Sequence, residues 1–172
     1  MNLAGFDLSL TSSGVSIAGI TRTVSSKHKG VERLSDLRQQ FTQICQESQV
    51  ECAVIEGYSF ASRNSQAHSI GELGGVVRLV LFDLGIPFVE VPPTSRAKFA
   101  TGRGNASKGE VISAISAKTG LVFAGAGGND ECDAWVLEQM ALTKMGCSQY
   151  SWTKEQLASL DKVDWSALER AM

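Results

Sequence analysis

Leu3-Ala4-Gly5-Phe6-Asp7-Leu8-Ser9-Leu10-Thr11-Ser12-Ser13-Gly14-Val15-Ser16-Ile17-Ala18-Gly19-Ile20 opens the chain. Leu3 to Leu10 reads as a strand, the Thr/Ser/Gly run that follows as a turn, and Val15 to Ile20 alternates as a second strand, so the fold begins with a β-hairpin. A third strand is expected around Arg22 to Val24. Working outward, Val31, Leu34, Leu37, Phe41 and Ile44 recur at spacings of three and four, which predicts a helix from Gly30 to Gln49. Cys52-Ala53-Val54-Ile55 is a short apolar strand ending at Glu56. Ile70, Leu73, Val76, Val77, Val80, Leu81 and Leu84 predict a long helix within residues 64 to 84, and Ile86 to Val91 predicts another strand, stopped by Pro92-Pro93. A helix from Ser107 to Lys118 carries Glu110 three residues after Ser107, the spacing of a capping box. Gly120 to Gly128 reads as a glycine-rich loop. A helix opened by Asn129 or Asp130 runs on through Trp135, Leu137, Met140 and Met145. Three strands followed by alternating helix and strand predict an α/β fold: a mixed sheet of about five strands, flanked by helices, with ligands bound outside the strand carboxyl ends.

The 172 residues, 43% hydrophobic and 20% charged, suit one globular domain with a sizeable core. Arg78 and Asp83 interrupt the most apolar stretch, so no uncharged run of roughly 18 residues is available to cross a membrane. The N-terminus lacks the basic flank of a secretory signal, and the expected location is the cytoplasm. Cys45, Cys52, Cys132 and Cys147 include no C-x-x-C pair, and with only His28 and His68 besides, a metal site must be built from carboxylates. The formal net charge of −2 does not announce a polyanion partner. Its distribution is more telling: residues 94 to 109 hold Arg96, Lys98, Arg103 and Lys108 without an acid, and a second basic cluster lies within residues 22 to 38.

Four acids share one pattern. Asp7 lies in the first strand, Glu56 ends a buried-looking strand, and Asp130 and Asp133 begin the last core helix. Helical positions i and i+3 differ by about 60° around the axis, so Asp130 and Asp133 project from one face, whereas Glu131 points elsewhere. Convergent carboxylates cannot all ionise without compensation, and hard divalent ions with oxygen ligands, Mg²⁺ or Mn²⁺, would supply it. Each acid alone has a plainer reading. Asp7 could be a local hydrogen-bond acceptor, and Asp130 or Asp133 a first-turn acid facing the helix dipole. Only the order strand Asp, strand Glu, helix D-x-x-D is specific.

With those residues in hand, the sequence resembles the RuvC family of Holliday junction resolvases, in the looser form encoded by bacteriophages. Gly5-Phe6-Asp7-Leu8-Ser9-Leu10-Thr11-Ser12-Ser13-Gly14 resembles the family's first-strand motif and Ala53-Val54-Ile55-Glu56 its second acidic strand. Gly102-Arg103-Gly104-Asn105-Ala106-Ser107-Lys108-Gly109-Glu110-Val111 is similar to its G-x-G-x-A-x-K-x-x-V element, and Asn129-Asp130-Glu131-Cys132-Asp133-Ala134 to its D-x-x-D-A helix. The resemblance runs from about residue 3 to 145 and implies a ribonuclease H-like fold. It also implies that Asp7, Glu56, Asp130 and Asp133 are the catalytic and metal-binding tetrad, holding two Mg²⁺ or Mn²⁺ ions. Hydrolysis through such an ion pair, with no covalent protein intermediate, would leave 5′-phosphate and 3′-hydroxyl ends.

The resemblance makes Lys108 a contact to the scissile-strand phosphate. Arg96, Lys98 and Arg103 beside it extend the expected DNA surface. Where the family often carries a junction-wedging aromatic, this chain has Ser59 between Tyr58 and Phe60; either aromatic could serve, and core packing is the competing reading. Symmetric cutting of a four-way junction implies a homodimer. Its expected seam is the 64 to 84 helix, through Ile70, Leu73, Gly74 and Val77, with burial of those residues against the sheet as the alternative. Residues 1–150 form the expected nuclease domain. Residues 151–172, which the resemblance does not reach, read as an appended helical tail anchored by Trp152 and Trp165, with Thr153 and Gln156 at capping-box spacing.

The expected partners are branched DNA, four-way junctions and also forks or flaps, with no membrane. Two other enzyme or binding classes remain: a ribonuclease H-like nuclease acting on RNA or RNA/DNA hybrids, and a noncatalytic junction-binding protein. An actin-like ATPase also opens on an acidic hairpin, but this chain is too short for two such lobes.

Overall fold

The computed structural model describes residues 1–9, 11–57 and 66–171, with the backbone alone described for 66–70. One sheet holds β1 (Leu3–Asp7), β2 (Ser13–Ile17), β3 (Ile20–Val24), β4 (Cys52–Glu56) and β5 (Phe88–Val91), in the order β3-β2-β1-β4-β5. The first three strands form an antiparallel meander, and β4 and β5 add in parallel beyond β1. The expected mixed five-stranded sheet is therefore present. The hairpin boundaries differ from the sequence reading. β1 ends at Asp7 rather than Leu10, Ser13 and Gly14 belong to β2, and the β2–β3 turn falls at Ala18-Gly19, both at positive φ (53° and 75°). A two-residue turn of this kind matches the twist of its flanking strands.

Alternation along the strands divides the core. Ala4, Phe6, Val15, Ala53 and Ile55 face α1 (Gly30–Glu47) and α2 (Gln66–Asp83), where they meet Leu37, Phe41, Leu73, Val77 and Leu81. Leu3, Cys52, Val54, Val89 and Val91 face the opposite layer. That layer contains α3 (Pro93–Thr101), α4 (Lys108–Thr119) and α5 (Gly128–Lys144). Because side chains alternate with period two, Asp7 and Glu56 share the α5 face with Leu3 and Val54.

Helix α5 lies directly on that face, and two glycines allow it. A Cβ at Gly5 would meet the Ala134 carbonyl oxygen at 2.0 Å, and one at Gly14 the Asp130 carbonyl oxygen at 1.8 Å. Only a residue without a side chain lets backbone meet backbone this closely. The first turn of α5 is thereby pressed against the carboxyl end of β1.

Helix α3 is missing from the sequence reading, which ended at Pro92-Pro93. Proline suits the first helical turn, where its missing N–H is no loss, and Gly102 closes the helix in the left-handed conformation (φ 83°). Beyond it, α4 begins with the expected capping box between Ser107 and Glu110. The segment after residue 150 contains α6 (Lys154–Leu157), a short 3₁₀ turn (Leu160–Lys162) and α7 (Ser166–Ala171). Leu160, Val163, Trp165 and Leu168 pack into the same core as Leu137 and Met140, and the Gln156 side chain donates to the Ala100 carbonyl at 3.0 Å.

The seam expected on α2 needs correction. Leu73 and Val77 are 1% and 0% exposed, and Gly74 is buried with them, because this face of α2 covers α1 and the sheet. They are core residues and cannot meet a second copy. The Ile70 side chain lies outside the described residues. The outward stripe of α2 instead carries Gly75, Leu79 and Phe82. Among the described residues, no helix is long and apolar enough to cross a membrane.

Candidate active site

The parallel register that sets Phe6 against Ile55 brings Asp7 and Glu56 to the same level at the ends of neighbouring strands. Helix α5 adds Asp130 and Asp133 from its first two turns. Asp7, Asp130 and Asp133 are 8%, 7% and 2% exposed. Their mutual influence is electrostatic. Burial, reinforced by the charges of Glu56, Asp133 and Asp130, drives the Asp7 carboxyl well above its ordinary range, although Arg96 pulls the other way. Burial likewise lifts Asp133 to about 6 against the pull of Arg96. The four acids predicted from sequence thus share one neighbourhood at the carboxyl end of the sheet.

A cation already sits among them. Arg96, on α3, is only 8% exposed. Its Nε donates to Glu56 Oε2 and its Nη1 to Asp133 Oδ1. Burial alone would favour loss of its proton, but Glu56, Asp133 and Asp7 outweigh burial and raise its pKa. This corrects the expectation that Arg96 is a surface contact to DNA: its guanidinium is turned inward onto the acids. The sequence offered no sign of this, because a basic residue after Pro-Pro reads as a solvated loop cation.

Asp130 is held differently. Ser12 donates from Oγ to Asp130 Oδ2 at 2.6 Å, and Lys108 Nζ lies 3.4 Å from Oδ1. Lys108 is the first residue of α4 and its side chain is largely exposed, so it borders the acids from the solvent side. Ser12 is a site residue that sequence reasoning treated only as part of a turn. Arg103 is exposed and paired with the capping Glu110 at 2.5 Å. Lys98 is half-buried on α3. Tyr58 and Phe60 lie outside the described residues. Glu131 faces β3 and accepts hydrogen bonds from Thr21 and Thr23, at 3.1 and 2.6 Å, apart from the four acids as its helical position requires.

Among the described residues, no three His, Cys, Asp or Glu side chains stand in position to hold a metal ion together. The reason is visible in the pairings: the guanidinium occupies the space between Glu56 and Asp133, while Asp130 is engaged by Ser12 and Lys108. The donor set nonetheless has the right chemistry. All four side chains offer hard oxygens, and among the described residues Asp133 Oδ2 is buried without a hydrogen-bond partner, an acceptor that a cation would satisfy.

No protein-family model matches the chain. Two relatives, both named crossover junction endodeoxyribonuclease RuvC, come from Synechococcus sp. strains WH7803 and CC9311. Each is 33% identical over 103 residues, which is 60% of this chain. The match spans just under two thirds of the relatives' own length, 66% and 63%. Among solved structures, Thermus thermophilus RuvC aligns with a TM-score of 0.68 at 20% identity, covering 88% of this chain and 100% of that one. T. thermophilus RuvC in complex with Holliday junction substrate aligns at 0.67 and 19%, covering 88% and 99%. The yeast mitochondrial Holliday junction resolvase Ydc2 aligns at 0.53 and 11%, covering 92% and 80%. At such identities the structural likeness establishes the fold, and that fold is the ribonuclease H-like one expected. The resemblance to the RuvC family read from the motifs is borne out by the relatives' names and by the fold.

Proposed function

We propose that this chain is a RuvC-type crossover junction endodeoxyribonuclease, which resolves four-way DNA junctions by hydrolysing phosphodiester bonds and leaves 5′-phosphate and 3′-hydroxyl ends. One observation carries the reading: Gly5 and Gly14 seat α5 directly on β1 and β2, so that the D-x-x-D turn meets the two strand-end acids. Relatives 33% identical over 103 residues bear the name of that activity. In this reading Asp7, Glu56, Asp130 and Asp133 hold two Mg²⁺ or Mn²⁺ ions. When bound, such ions supply Lewis acidity for attack by water at phosphorus and for departure of the 3′ oxygen. The chain's own residues do the rest. The sheet ends fix Asp7 and Glu56, and Ser12 orients Asp130. Lys108 offers its ammonium to the scissile-strand phosphate beside Asp130, with Arg103 and Lys98 extending the cationic border.

Two coordinated incisions require two linked sites, so the active form in this reading is a homodimer. The outward stripe of α2, Gly75 with Leu79 (50% exposed) and Phe82 (78% exposed), is the self-complementary apolar face it would use.

The test is cleavage of four-way junctions, flaps, linear duplex and RNA/DNA hybrid, with Mg²⁺ and with EDTA. Junction cleavage that stops in EDTA is expected. Asp7→Asn, Glu56→Gln, Asp130→Asn and Asp133→Asn should each reduce it by at least about 10³-fold while junction binding persists, because each removes ligand charge rather than a phosphate contact. Glu131→Gln should remain active. Preferential cleavage of hybrid, or a dispensable Asp133, would overturn the assignment.

A further inference from the structure

An arginine bridging two acids that are both read as metal ligands presents a conflict. Arg96 donates to one oxygen of Glu56 and one of Asp133, and an ion held by those carboxylates would compete for the same space and the same negative charge. A guanidinium is a rigid two-pronged donor suited to tying carboxylates from different elements. Here it ties the end of β4 to the second turn of α5. We infer that Arg96 is a resident counter-cation of the metal-free site, which a divalent ion must displace from between Glu56 and Asp133 in order to bind. This inference rests on the nuclease reading of those two acids.

The surroundings suit a side chain that swings while its backbone stays. Helix α3 is pinned along its buried face by Ser95, Ala97, Phe99 and Ala100. Phe99 packs on Trp152 with ring centroids 4.2 Å apart, and Gln156 donates to the Ala100 carbonyl. Release of Arg96 therefore means rotation about its own side-chain bonds, without movement of the helix. Charge gives the direction. Without metal, the mutually repelling carboxylates are eased by Arg96 from within and by Lys108 from the solvent side, which keeps the site compact. Two divalent ions would cancel the four carboxylates alone and repel the guanidinium. A phosphodiester carries the single negative charge that the released arginine would then match. The device raises the metal concentration the site requires and holds the acids together in its absence.

The experiment uses the full chain without DNA. Mn²⁺ binding is followed by the paramagnetic resonance of free Mn²⁺, and thermal unfolding is measured in EDTA and in Mn²⁺. Arg96→Gln removes the charge but keeps most of the length. It is expected to bind Mn²⁺ at least about tenfold more tightly than wild type, since a cation no longer competes for the oxygens. It should also unfold about 5–10 °C lower in EDTA, where the acids are left uncompensated. Mn²⁺ should raise its unfolding temperature more than that of wild type. Mn²⁺ affinity equal to or weaker than wild type overturns the inference. If Arg96→Gln does not fold in EDTA, Arg96→Lys, which keeps the charge but cannot bridge both acids, decides the matter: tighter Mn²⁺ binding supports the displacement and unchanged affinity refutes it. Asp7→Asn run in parallel separates the two readings. Mn²⁺ binding insensitive to Asp7→Asn overturns the metal tetrad itself, whereas binding sensitive to Asp7 and indifferent to Arg96 overturns only the displacement.

Discussion

Each acid on α5 meets a different part of the sheet. Asp130 and Asp133 face the ends of β1 and β4, and Glu131 ties down β3. Glu138, two turns beyond Asp130, is buried (1% exposed) beneath the first hairpin. It accepts from Ser16 Oγ at 2.5 Å and from the Gly19 N–H at 3.1 Å. Burial raises the pKa of its carboxyl, and the bonds from Ser16, Gly19 and Ala18 only partly offset this. Its role is structural: it satisfies the hairpin turn from below. Glu138→Ala should therefore destabilise the fold by about 2–3 kcal/mol, through orphaned donors and a cavity, a loss measurable by denaturant unfolding. A change within about 0.5 kcal/mol would contradict this. The clustering of the four acids was legible because strand-end acids and a D-x-x-D turn are unusual against an apolar background. Glu138 was not, since an acid on an amphipathic helix reads as its wet face, and nothing local reveals that α5 is covered on both sides. Arg96 was hidden for the opposite reason. Its nine-residue helix is too short for an apolar stripe to declare itself, and a cation's inward turn depends wholly on acids distant in the chain.

At the scale of elements, hydrophobic periodicity located α1, α2 and α5 within a few residues, because each buries one or more continuous apolar stripes, whereas α4 was read from its cap. The capping box marked α4 to the residue. The hairpin was misjudged at Gly14, whose neighbours suggest a turn but whose real constraint is the passage of another helix. Gly14→Ala would drive a Cβ to 1.8 Å from the Asp130 carbonyl oxygen and 2.2 Å from its carbon, both backbone atoms that cannot step aside. The expected outcome is a loss of about 3 kcal/mol, with α5 displaced and junction cleavage reduced beyond what the lost stability explains. Unfolding curves and cleavage rates well below the transition temperature separate the two effects. The cap on α4 predicts a pH response. Glu110 is held at about 2, chiefly by the Ser107 N–H, then by the Ser107 hydroxyl and Arg103. An acid whose pKa falls on folding stabilises the fold above its unfolded value, near 4.5, and that contribution is lost as pH falls towards 2. Glu110→Gln should flatten the acid side of the stability profile across that window. An unchanged slope would mean that the cap does not persist in solution.

At the scale of the whole molecule, the two faces of the sheet have separate tasks. One face, under α3, α4, α5 and the C-terminal segment, builds and braces the site, through a chain of contacts from Trp152 and Gln156 to α3 and so to Arg96. The other face, under α1 and α2, is an apolar core, and among the described residues Leu79 and Phe82 on its outer surface are exposed. Gly75 distinguishes these tasks. A Cβ added there meets nothing within 4 Å among the described residues, and glycine in a helix is about 1 kcal/mol less favourable than alanine. Within a lone protomer, Gly75→Leu should therefore be harmless or mildly stabilising. If α2 packs against its twofold mate, the same change forces the two backbones apart, and Phe82→Asp should act likewise by burying a charge in an apolar seam. Light scattering at micromolar concentration should then report a wild-type dimer and monomeric variants that still unfold cooperatively, somewhat below the wild-type temperature because the stabilisation by association is lost. On a four-way junction the variants should nick one strand at a time, since each protomer keeps its acids but loses the linkage that pairs two incisions. Wild-type monomers, or variants that remain dimeric and cut both strands together, would move the seam away from α2.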